Sequence, residues 1–130
     1  MIGLLLVSHS SLAADGIREI ALEMGGAAET IGAVGGDPDG GIGSDATAIR
    51  EALGELAADL DGVVVLVDLG SAVMNAETAI EMVDPDVPVE IADAPILEGA
   101  LNGAVEATSS DATVASVRES AEAARDISKL

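Results

Sequence analysis

The sequence predicts a doubly wound α/β domain, in which a mainly parallel sheet carries helices on both faces. Residues 2–7 and 63–67 are apolar runs without the polar alternation of a strand that is exposed on one face. Such runs are typical of central strands in a parallel sheet. Segments with helical spacing follow the predicted strands, and four strands alternating with helices give the expected architecture. Residues 1–130 are expected to form a single domain.

A first helix is predicted to follow strand one and to run to Met24, because apolar residues recur at spacings of three and four. Ser10 or Ser11 can cap its start, and the two glycines at 25–26 can end it. Residues 29–34 then predict strand two. The apolar stripe of the first helix comprises Ala13, Ile17, Ile20, Ala21 and Met24.

A glycine-rich loop over residues 35–43 separates strand two from helix two. Ser44 and Asp45 predict the start of that helix, and Gly62 predicts its end. Helix three follows the third strand and is expected to stop at residues 84–85. Its inward face is predicted to comprise Val73, Ala76, Ile80 and Val83.

The last part of the chain predicts one more strand, over residues 87–92, and two helices. Pro95 can open the first of these helices. Gly99 and Gly103 either weaken that helix or mark a close approach to its neighbours. Residues 111–130 predict a C-terminal helix. The methionines expected to fill gaps in the core are Met24, Met74 and Met82.

The composition excludes several classes of function. There are 24 acidic residues against 5 Lys and Arg, a net charge of -19 that argues against nucleic acid and anionic membranes as partners. The chain has no Phe, Trp or Tyr, so it cannot stack an aromatic ring on a nucleobase, a flavin or a sugar. It has no Cys, which excludes disulfides, thiolate metal sites and cysteine nucleophiles.

The distribution of apolar residues predicts a cytoplasmic location. No apolar run approaches the roughly 20 residues of a membrane span. Met1 leads directly into a predicted strand, without the basic and apolar leader of a secreted protein.

His9, the only histidine, follows the first buried-type strand and lies among serines. In open α/β sheets, ligands bind at the carboxyl ends of strands where neighbouring connections diverge. With a flavodoxin-like strand order 2-1-3-4, Asp68 leaves the adjacent strand within reach of His9. A carboxylate that accepts from one ring nitrogen fixes the imidazole tautomer and leaves the other nitrogen as a nucleophile or base. His9 and Asp68 are therefore the predicted catalytic pair.

The neighbouring loops indicate what such a histidine could attack. The glycine-rich loop before Ser44, and Gly70-Ser71 before helix three, are expected to offer free backbone N–H groups to phosphate oxygens. The loop lacks the lysine of a P-loop, and there is no G-x-S-x-G nucleophile motif. A phosphoryl group is therefore the expected substrate, and no metal site is expected.

A structural interpretation of each residue also remains open. A lone histidine is often a hydrogen-bonded structural residue, Asp68 could simply cap helix three, and the glycine-rich loop could be a flexible connection.

Four spaced motifs occur in order along the chain: Val7-Ser8-His9-Ser10, Gly41-Ile42-Gly43-Ser44, Asp68-Leu69-Gly70-Ser71-Ala72 with Met74-Asn75-Ala76-Glu77, and Ala94-Pro95-Ile96-Leu97-Glu98-Gly99-Ala100. Together they resemble the mannose-type enzyme IIA family, in the form that serves as phosphotransferase subunit of phosphoenolpyruvate-dependent dihydroxyacetone kinase. The resemblance covers essentially the whole chain.

This resemblance implies a homodimeric domain in which His9 carries a phosphoryl group and Asp68 orients it. The phosphocarrier HPr would supply the group, which reaches HPr from phosphoenolpyruvate through enzyme I. ADP on the DhaL subunit would receive it, and the ATP so formed would phosphorylate dihydroxyacetone on DhaK. Separate carrier proteins and no cofactor are implied. The implied phosphoryl-binding residues are Ser10, Gly41, Ile42, Gly43, Ser44, Gly70 and Ser71.

Three other functions stay open at this point. The chain could be the enzyme IIA component of a mannose-type sugar transporter, which would pass its phosphoryl group to an enzyme IIB. A small metal chelatase has a similar histidine after strand one, but it should have more histidine ligands than one. A regulator that binds a phosphometabolite at the glycine-rich loop would need no catalytic histidine.

The acidic residues predict a chain adapted to concentrated salt. They are spread along the periodic segments and do not form a tail, which favours a solvated, halophilic surface over a cation buffer or an acidic decoy. Because salt screens the repulsion between these charges, we expect the chain to unfold in dilute buffer. Circular dichroism during stepwise removal of salt measures this loss of folded structure. A cooperative and fully stable fold at low ionic strength would contradict the prediction.

Overall fold

Four parallel strands form one sheet in the order β2-β1-β3-β4 in the computed structural model, which describes residues 1–130. The strands are β1 (Ile2–Ser8), β2 (Ile31–Gly35), β3 (Gly62–Val67) and β4 (Val89–Ile91). β1 lies in the interior of the sheet, and its Leu5 is paired with Gly32 of β2 on one side and with Val65 of β3 on the other. The predicted flavodoxin-like strand order is confirmed.

Five α-helices cover the two faces of this sheet. They are α1 (Ser11–Met24), α2 (Ala46–Ala57), α3 (Ser71–Val83), α4 (Ile96–Ala107) and α5 (Val114–Ala123), and a 3₁₀ turn (Ala124–Asp126) follows α5. None of them has the length and apolar character that a membrane crossing requires.

The apolar run of β1 is buried on both faces. Leu4 and Leu6 belong to a core formed with α1, α4 and α5, whereas Leu5 and Val7 belong to a second core formed with α2 and α3. Each of the four side chains is at most 1% exposed. Successive strand residues point to opposite faces, so a strand covered on both sides needs apolar residues throughout.

Local capping bonds set the helix ends. The Ser10 hydroxyl oxygen accepts from Ala13 N–H at the start of α1, and Asp45 accepts from Thr47 N–H at the start of α2. α3 ends at Asp84, whose φ of 47° is left-handed. The predicted start of helix one and the predicted end of helix three are therefore confirmed.

Several predicted boundaries were wrong. Gly62 does not end helix two, because α2 ends at Ala57 and Gly62 is the first residue of β3. The C-terminal helix is shorter than residues 111–130, since Thr113 caps it in an extended conformation and its regular turns end at Ala123. β2 and β4 each begin two residues later than predicted.

The predicted helix faces also need correction. In α1 the fully buried residues are Ala14 and Ala21, whereas Ala13 is exposed and Ile20 and Met24 are about half exposed. The three methionines expected in the core are 54%, 74% and 46% exposed at Met24, Met74 and Met82. In α3 the fully buried residues are the alanines at 72, 76 and 79. These small side chains let α3 lie close to the sheet, which leaves no gap for a methionine to fill.

Gly99 and Gly103 mark close packing of α4 against the sheet. A Cβ atom at Gly99 would lie 2.9 Å from Leu66 Cδ2, and one at Gly103 would lie 3.1 Å from Leu4 Cδ2. The packing therefore supports the interpretation that these glycines mark a close approach and not a weak helix.

Gly35, the last residue of β2, brings the end of that strand against the segment that carries the histidine. A Cβ atom at Gly35 would lie 2.7 Å from the carbonyl oxygens of both Ser8 and Ser10. These neighbours are backbone atoms on either side of His9, so they cannot give way as a flexible side chain can. The close approach of Gly35 therefore fixes where the chain turns at His9.

We predict that Gly35→Ala destabilises the fold by about 1–3 kcal/mol, the typical cost of overpacking, because it pushes the backbone at Ser8 and Ser10 away. Chemical denaturation measures the effect, and the NMR signals of His9 should shift. Gly54→Ala is the control: Gly54 lies within α2 with no heavy atom near an added Cβ, so this change should stabilise by about 0.5–1 kcal/mol. Equal effects of the two changes would contradict the prediction.

Candidate functional site

His9 lies between a carboxylate and a hydroxyl at the carboxyl end of the sheet. Its Nδ1 is 2.9 Å from Asp68 Oδ1, and its Nε2 is 2.9 Å from the Ser71 hydroxyl oxygen. Asp68 follows β3, the neighbour of β1, and Ser71 is the first residue of α3. The side chains of His9 and Asp68 are 17% and 23% exposed. The structure thus holds the ring in place from both sides while part of it reaches solvent.

The partners of the ring determine its tautomer. An ionised carboxylate can only accept, so Nδ1 carries the hydrogen that bonds to Asp68. Nε2 then keeps its lone pair and accepts the hydrogen of the Ser71 hydroxyl. Nε2 is therefore the nitrogen that can act as a nucleophile.

Asp68 is itself held by three donors. Its Oδ2 accepts from the His9 backbone N–H at 3.0 Å and from the Ser8 hydroxyl at 2.8 Å, and Oδ1 accepts from the ring. Burial opposes the ionised form of Asp68, but hydrogen bonds from the His9 N–H, the His9 ring and Ser8 outweigh it, so the pKa of this carboxyl lies below its ordinary value. The carboxylate therefore stays ionised and fixed in orientation.

Asp68 does not cap α3, which removes one alternative to its orienting role. The N-cap residue is Gly70, and no side chain caps this helix. The N–H groups of Leu69, Gly70 and Ser71 donate to no acceptor in the chain. These three free donors lie at the start of α3, where the helix dipole favours negative charge and where the Ser71 hydroxyl contacts Nε2. The free N–H groups that the sequence predicts at Gly70 and Ser71 are therefore present.

The glycine-rich loop meets the expectation of free N–H groups only in part. Gly41 N–H donates to Asp37 Oδ1 at 2.7 Å, and Gly43 N–H donates to the His9 carbonyl oxygen at 2.9 Å. The N–H groups of Ile42 and Ser44 have no acceptor in the chain. Gly41 and Gly43 therefore shape the loop and tie it to His9, and of residues 41–44 only Ile42 and Ser44 have a backbone donor left for a ligand.

Two polar residues near His9 were missed in the sequence. Ser8 is only 2% exposed, and its hydroxyl donates to Asp68 while accepting from Ser10 N–H. Asn75 donates to the Ser44 hydroxyl oxygen at 2.6 Å. A polar residue at the end of a fully apolar strand was a usable signal for Ser8. No sequence pattern indicated the contact of Asn75.

Asp93 and Ala94 follow β4, which lies on the other side of β3 from β1. They line a cavity of about 450 Å³ together with Leu69 and Gly70. The side chain of Asp93 is 92% exposed and lies 3.6 Å from Arg125. These two residues therefore border the site and do not contact His9.

The largest cavity is remote from this chemistry. It has a volume of about 530 Å³ and follows the outer edge of β2, between Arg18 of α1 and Glu55 of α2. Nowhere do three or more His, Cys, Asp or Glu side chains come together as metal ligands. His9 lines neither this cavity nor the one beside Asp68.

Exposed apolar side chains border the histidine. Leu12 is 83% exposed, Ile42 77%, Leu69 56% and Met74 74%. Each lies within three residues of His9 or of a residue that contacts it. We call these four residues the apolar rim. A surface of this kind, with a reactive nitrogen at its centre, is typical of a site that meets another protein.

We predict that Asp68→Asn lowers the free energy of unfolding by about 1–3 kcal/mol at neutral pH, because a carboxylate with charge-assisted hydrogen bonds is lost. Since the pKa of Asp68 is lowered in the folded state, its contribution is complete above its ordinary pKa and is lost as the pH falls through the folded-state pKa. The difference between the variant and the original chain should therefore narrow in acid.

Denaturant titrations from neutral to acidic pH measure this difference. Asp59→Asn, at an exposed position, controls for the change in net charge. A difference that stays constant into acid would show that Asp68 does not stabilise the fold as an ionised partner of His9.

Comparison with known proteins relates most of the chain to one protein family. The EIIA-man family, described as "PTS system fructose IIA component", matches residues 3–118. The phosphoryl donor subunit DhaM of PEP-dependent dihydroxyacetone kinase from Escherichia coli is 40% identical over 114 residues, which are 84% of this chain and 24% of that protein. Its counterpart from Providencia stuartii is 42% identical over 106 residues, 78% of this chain and 22% of that protein.

The chain thus spans about a quarter of the length of these two relatives. DhaM of PEP-dependent dihydroxyacetone kinase 2 from Listeria innocua is closer in length: it is 36% identical over 108 residues, 82% of this chain and 86% of that protein.

Solved structures agree with the fold. A protein described as of unknown function superposes with a TM-score of 0.75 and 33% identity, covering 93% of this chain and 92% of that one. The phosphotransferase system component EIIA from Streptococcus agalactiae gives a TM-score of 0.66 with 22% identity over the same shares, which supports the fold alone. The chain belongs to the EIIA-man family of phosphotransferase-system IIA components, in the group of the DhaM subunits.

Proposed function

We propose that this chain is the phosphoryl-carrier subunit of a PEP-dependent dihydroxyacetone kinase. His9 accepts a phosphoryl group from phospho-HPr and passes it to ADP bound on a DhaL subunit, and the ATP formed serves DhaK. Residues 1–130 act as one enzyme IIA-like domain in a cytoplasmic homodimer. The observation that carries the proposal is the fixed ring of His9, with Nδ1 on Asp68 and Nε2 on the Ser71 hydroxyl, at a helix start whose N–H groups are unpaired.

In the loading step, the Nε2 lone pair attacks the phosphorus of the phosphohistidine on HPr. The Nε2–P bond forms while the N–P bond of the donor breaks, and the donor nitrogen keeps its electron pair. The hydrogen on Nδ1 stays in place. Asp68 stabilises the positive charge that the ring of His9 gains, and this role needs the ionised carboxylate described above.

The phosphoryl oxygens need hydrogen-bond donors close to Nε2. The free N–H groups of Leu69, Gly70 and Ser71 at the start of α3 fit this need, as do those of Ile42 and Ser44. The Ser71 hydroxyl releases Nε2 and becomes a donor to the phosphoryl group. The hydroxyl of Ser10 caps α1 as an acceptor, and its own hydrogen remains available.

In the unloading step, an oxygen of the β-phosphate of ADP attacks the phosphorus. The O–P bond of ATP forms as the Nε2–P bond breaks, and the pair of electrons returns to Nε2. The ring is again neutral with its hydrogen on Nδ1, ready for the next cycle. No resident metal or cofactor of this chain takes part.

The apolar rim is the proposed docking surface for both partners. The chain carries a net charge of -19, so long-range attraction to a partner depends on salt. Apolar contacts through Leu12, Ile42, Leu69 and Met74 do not weaken as salt rises, which suits transfer in concentrated electrolyte.

A second candidate is the enzyme IIA component of a mannose-type sugar transporter, which would load an enzyme IIB. The description of the matching family as a fructose IIA component supports it. The two candidates share the loading step and differ only in the acceptor.

The deciding experiment supplies labelled phosphoenolpyruvate, enzyme I and HPr. We predict that the chain takes up one acid-labile phosphoryl group, on Nε2 of His9. Loaded protein is then mixed separately with ADP-bound DhaL and with an enzyme IIB. Rapid loss of label to ADP, with formation of ATP, is the expected result.

His9→Gln is the control and should take up no label while keeping the fold. Transfer to enzyme IIB and not to ADP would favour the transporter. Label on a residue other than His9, or equal labelling of His9→Gln, would contradict both candidates.

A further inference from the structure

Asn75 joins helix α3 to the glycine-rich loop. Its amide nitrogen Nδ2 donates to the Ser44 hydroxyl oxygen at 2.6 Å, across 31 residues of sequence. Both side chains are half-buried. Asn75 follows Ser71 by four residues, so the two lie on the same face of α3, one turn apart. Since Ser71 contacts Nε2 of His9, Asn75 links Ser44 to the helix that contacts the reactive nitrogen.

The loop is fastened at two neighbouring residues. Gly43 N–H donates to the carbonyl oxygen of His9, and Ser44 accepts from Asn75. Both bonds lead back to the elements that carry the reactive ring, one to the end of β1 and one to α3. The N–H of Ser44 has no acceptor in the chain. Ser44 is thus fixed in position while its own donors stay unused.

The direction of the hydrogen bond from Asn75 to Ser44 determines which group of Ser44 stays unused. An amide nitrogen can only donate, so the hydroxyl oxygen of Ser44 is the acceptor and its hydrogen is not used in this contact. That hydrogen must point away from Asn75, and the Ser44 N–H is the other free donor there. Ser44 therefore has two unused donors, in a loop that Gly43 N–H ties to the His9 carbonyl oxygen.

We propose that Asn75 is a positioning residue: by donating to Ser44, it fixes the Ser44 hydroxyl as a hydrogen-bond donor to the phosphoryl group on His9. The inference rests on the proposed function. Asn75 makes and breaks no covalent bond, and it exchanges no proton. Its effect is to stabilise phosphorylated His9 relative to free His9.

The equilibrium between phospho-HPr and this chain measures that effect directly. An equilibrium constant does not depend on how well the two proteins dock, so a change in it reports the stability of the phosphohistidine itself. It is obtained from the labelled fractions of both proteins after mixing in known ratios. A purely structural role of Asn75 would change melting or transfer rate and leave this constant unchanged.

Two substitutions test the direction of the bond. Asn75→Ala removes the donor, and Asn75→Asp replaces it with a carboxylate that can only accept, so the Ser44 hydroxyl would turn towards it. We expect Asn75→Asp to lower the equilibrium constant about tenfold, the usual effect of losing a hydrogen bond to a charged group. Asn75→Ala should lower it less, because Ser44 can still donate part of the time. Ser44→Thr, which keeps the hydroxyl, should lower the constant less than Ser44→Ala does.

Repeating the Asn75 substitutions in a Ser44→Ala background separates the effect of the orientation of the Ser44 hydroxyl from the effect of the added negative charge. Asn75→Ala should have no further effect there, and Asn75→Asp should keep only the smaller effect of its added negative charge. Effects of Asn75 substitutions that are as large without the Ser44 hydroxyl as with it would overturn the proposal, as would an unchanged constant in all variants. If the original chain takes no label from phospho-HPr, the proposed function itself fails, and that outcome is visible before any variant is compared.

Discussion

The pairing of His9 with Asp68 is the interaction on which the site depends, and the sheet makes it possible. β1 and β3 are neighbours, so the residues that follow them leave the same edge side by side. The carboxylate then meets the ring nitrogen at 2.9 Å, while Ser8 and the His9 N–H occupy its other oxygen. One carboxylate thus fixes both the position and the tautomer of the ring. The reactivity of Nε2 is a consequence of strand order.

The glycine positions around this pair serve different purposes. Gly35 lets the end of β2 approach the backbone that carries His9, and Gly43 ties the loop to the His9 carbonyl oxygen. Gly70, by contrast, begins α3 without a capping side chain and leaves the N–H groups there unpaired. The first two hold the histidine in place, and the third leaves room for an anion beside it.

Much of this arrangement could be predicted from the sequence. The unbroken apolar runs predicted two central strands. The predicted strand order then placed His9 and Asp68 directly after neighbouring strands. The contact between Asn75 and Ser44 could not be predicted, because an apolar stripe does not give the rotation of a helix to within one side chain. The bond from Gly41 to Asp37 was also missed, since it depends on the turn that the Asp37 carboxylate makes with its own loop. The exposed Met74 and Met82 were misjudged because the alanines of α3 already fill the interface with the sheet.

The positions of the few basic side chains bear on how tightly the proposed carrier would hold a phosphoryl group. Arg18 donates to backbone carbonyl oxygens at the start of β2. Three other cations pair with carboxylates, and Arg50 lies 4.0 Å from Glu51; the three are Arg118, Arg125 and Lys129. None of these five cations contacts His9. A phosphoryl group there would be held by neutral dipoles alone, and a full positive charge would bind it more tightly and make it harder to release. In the proposed carrier, uncharged donors would therefore release the phosphoryl group more readily than a cation would.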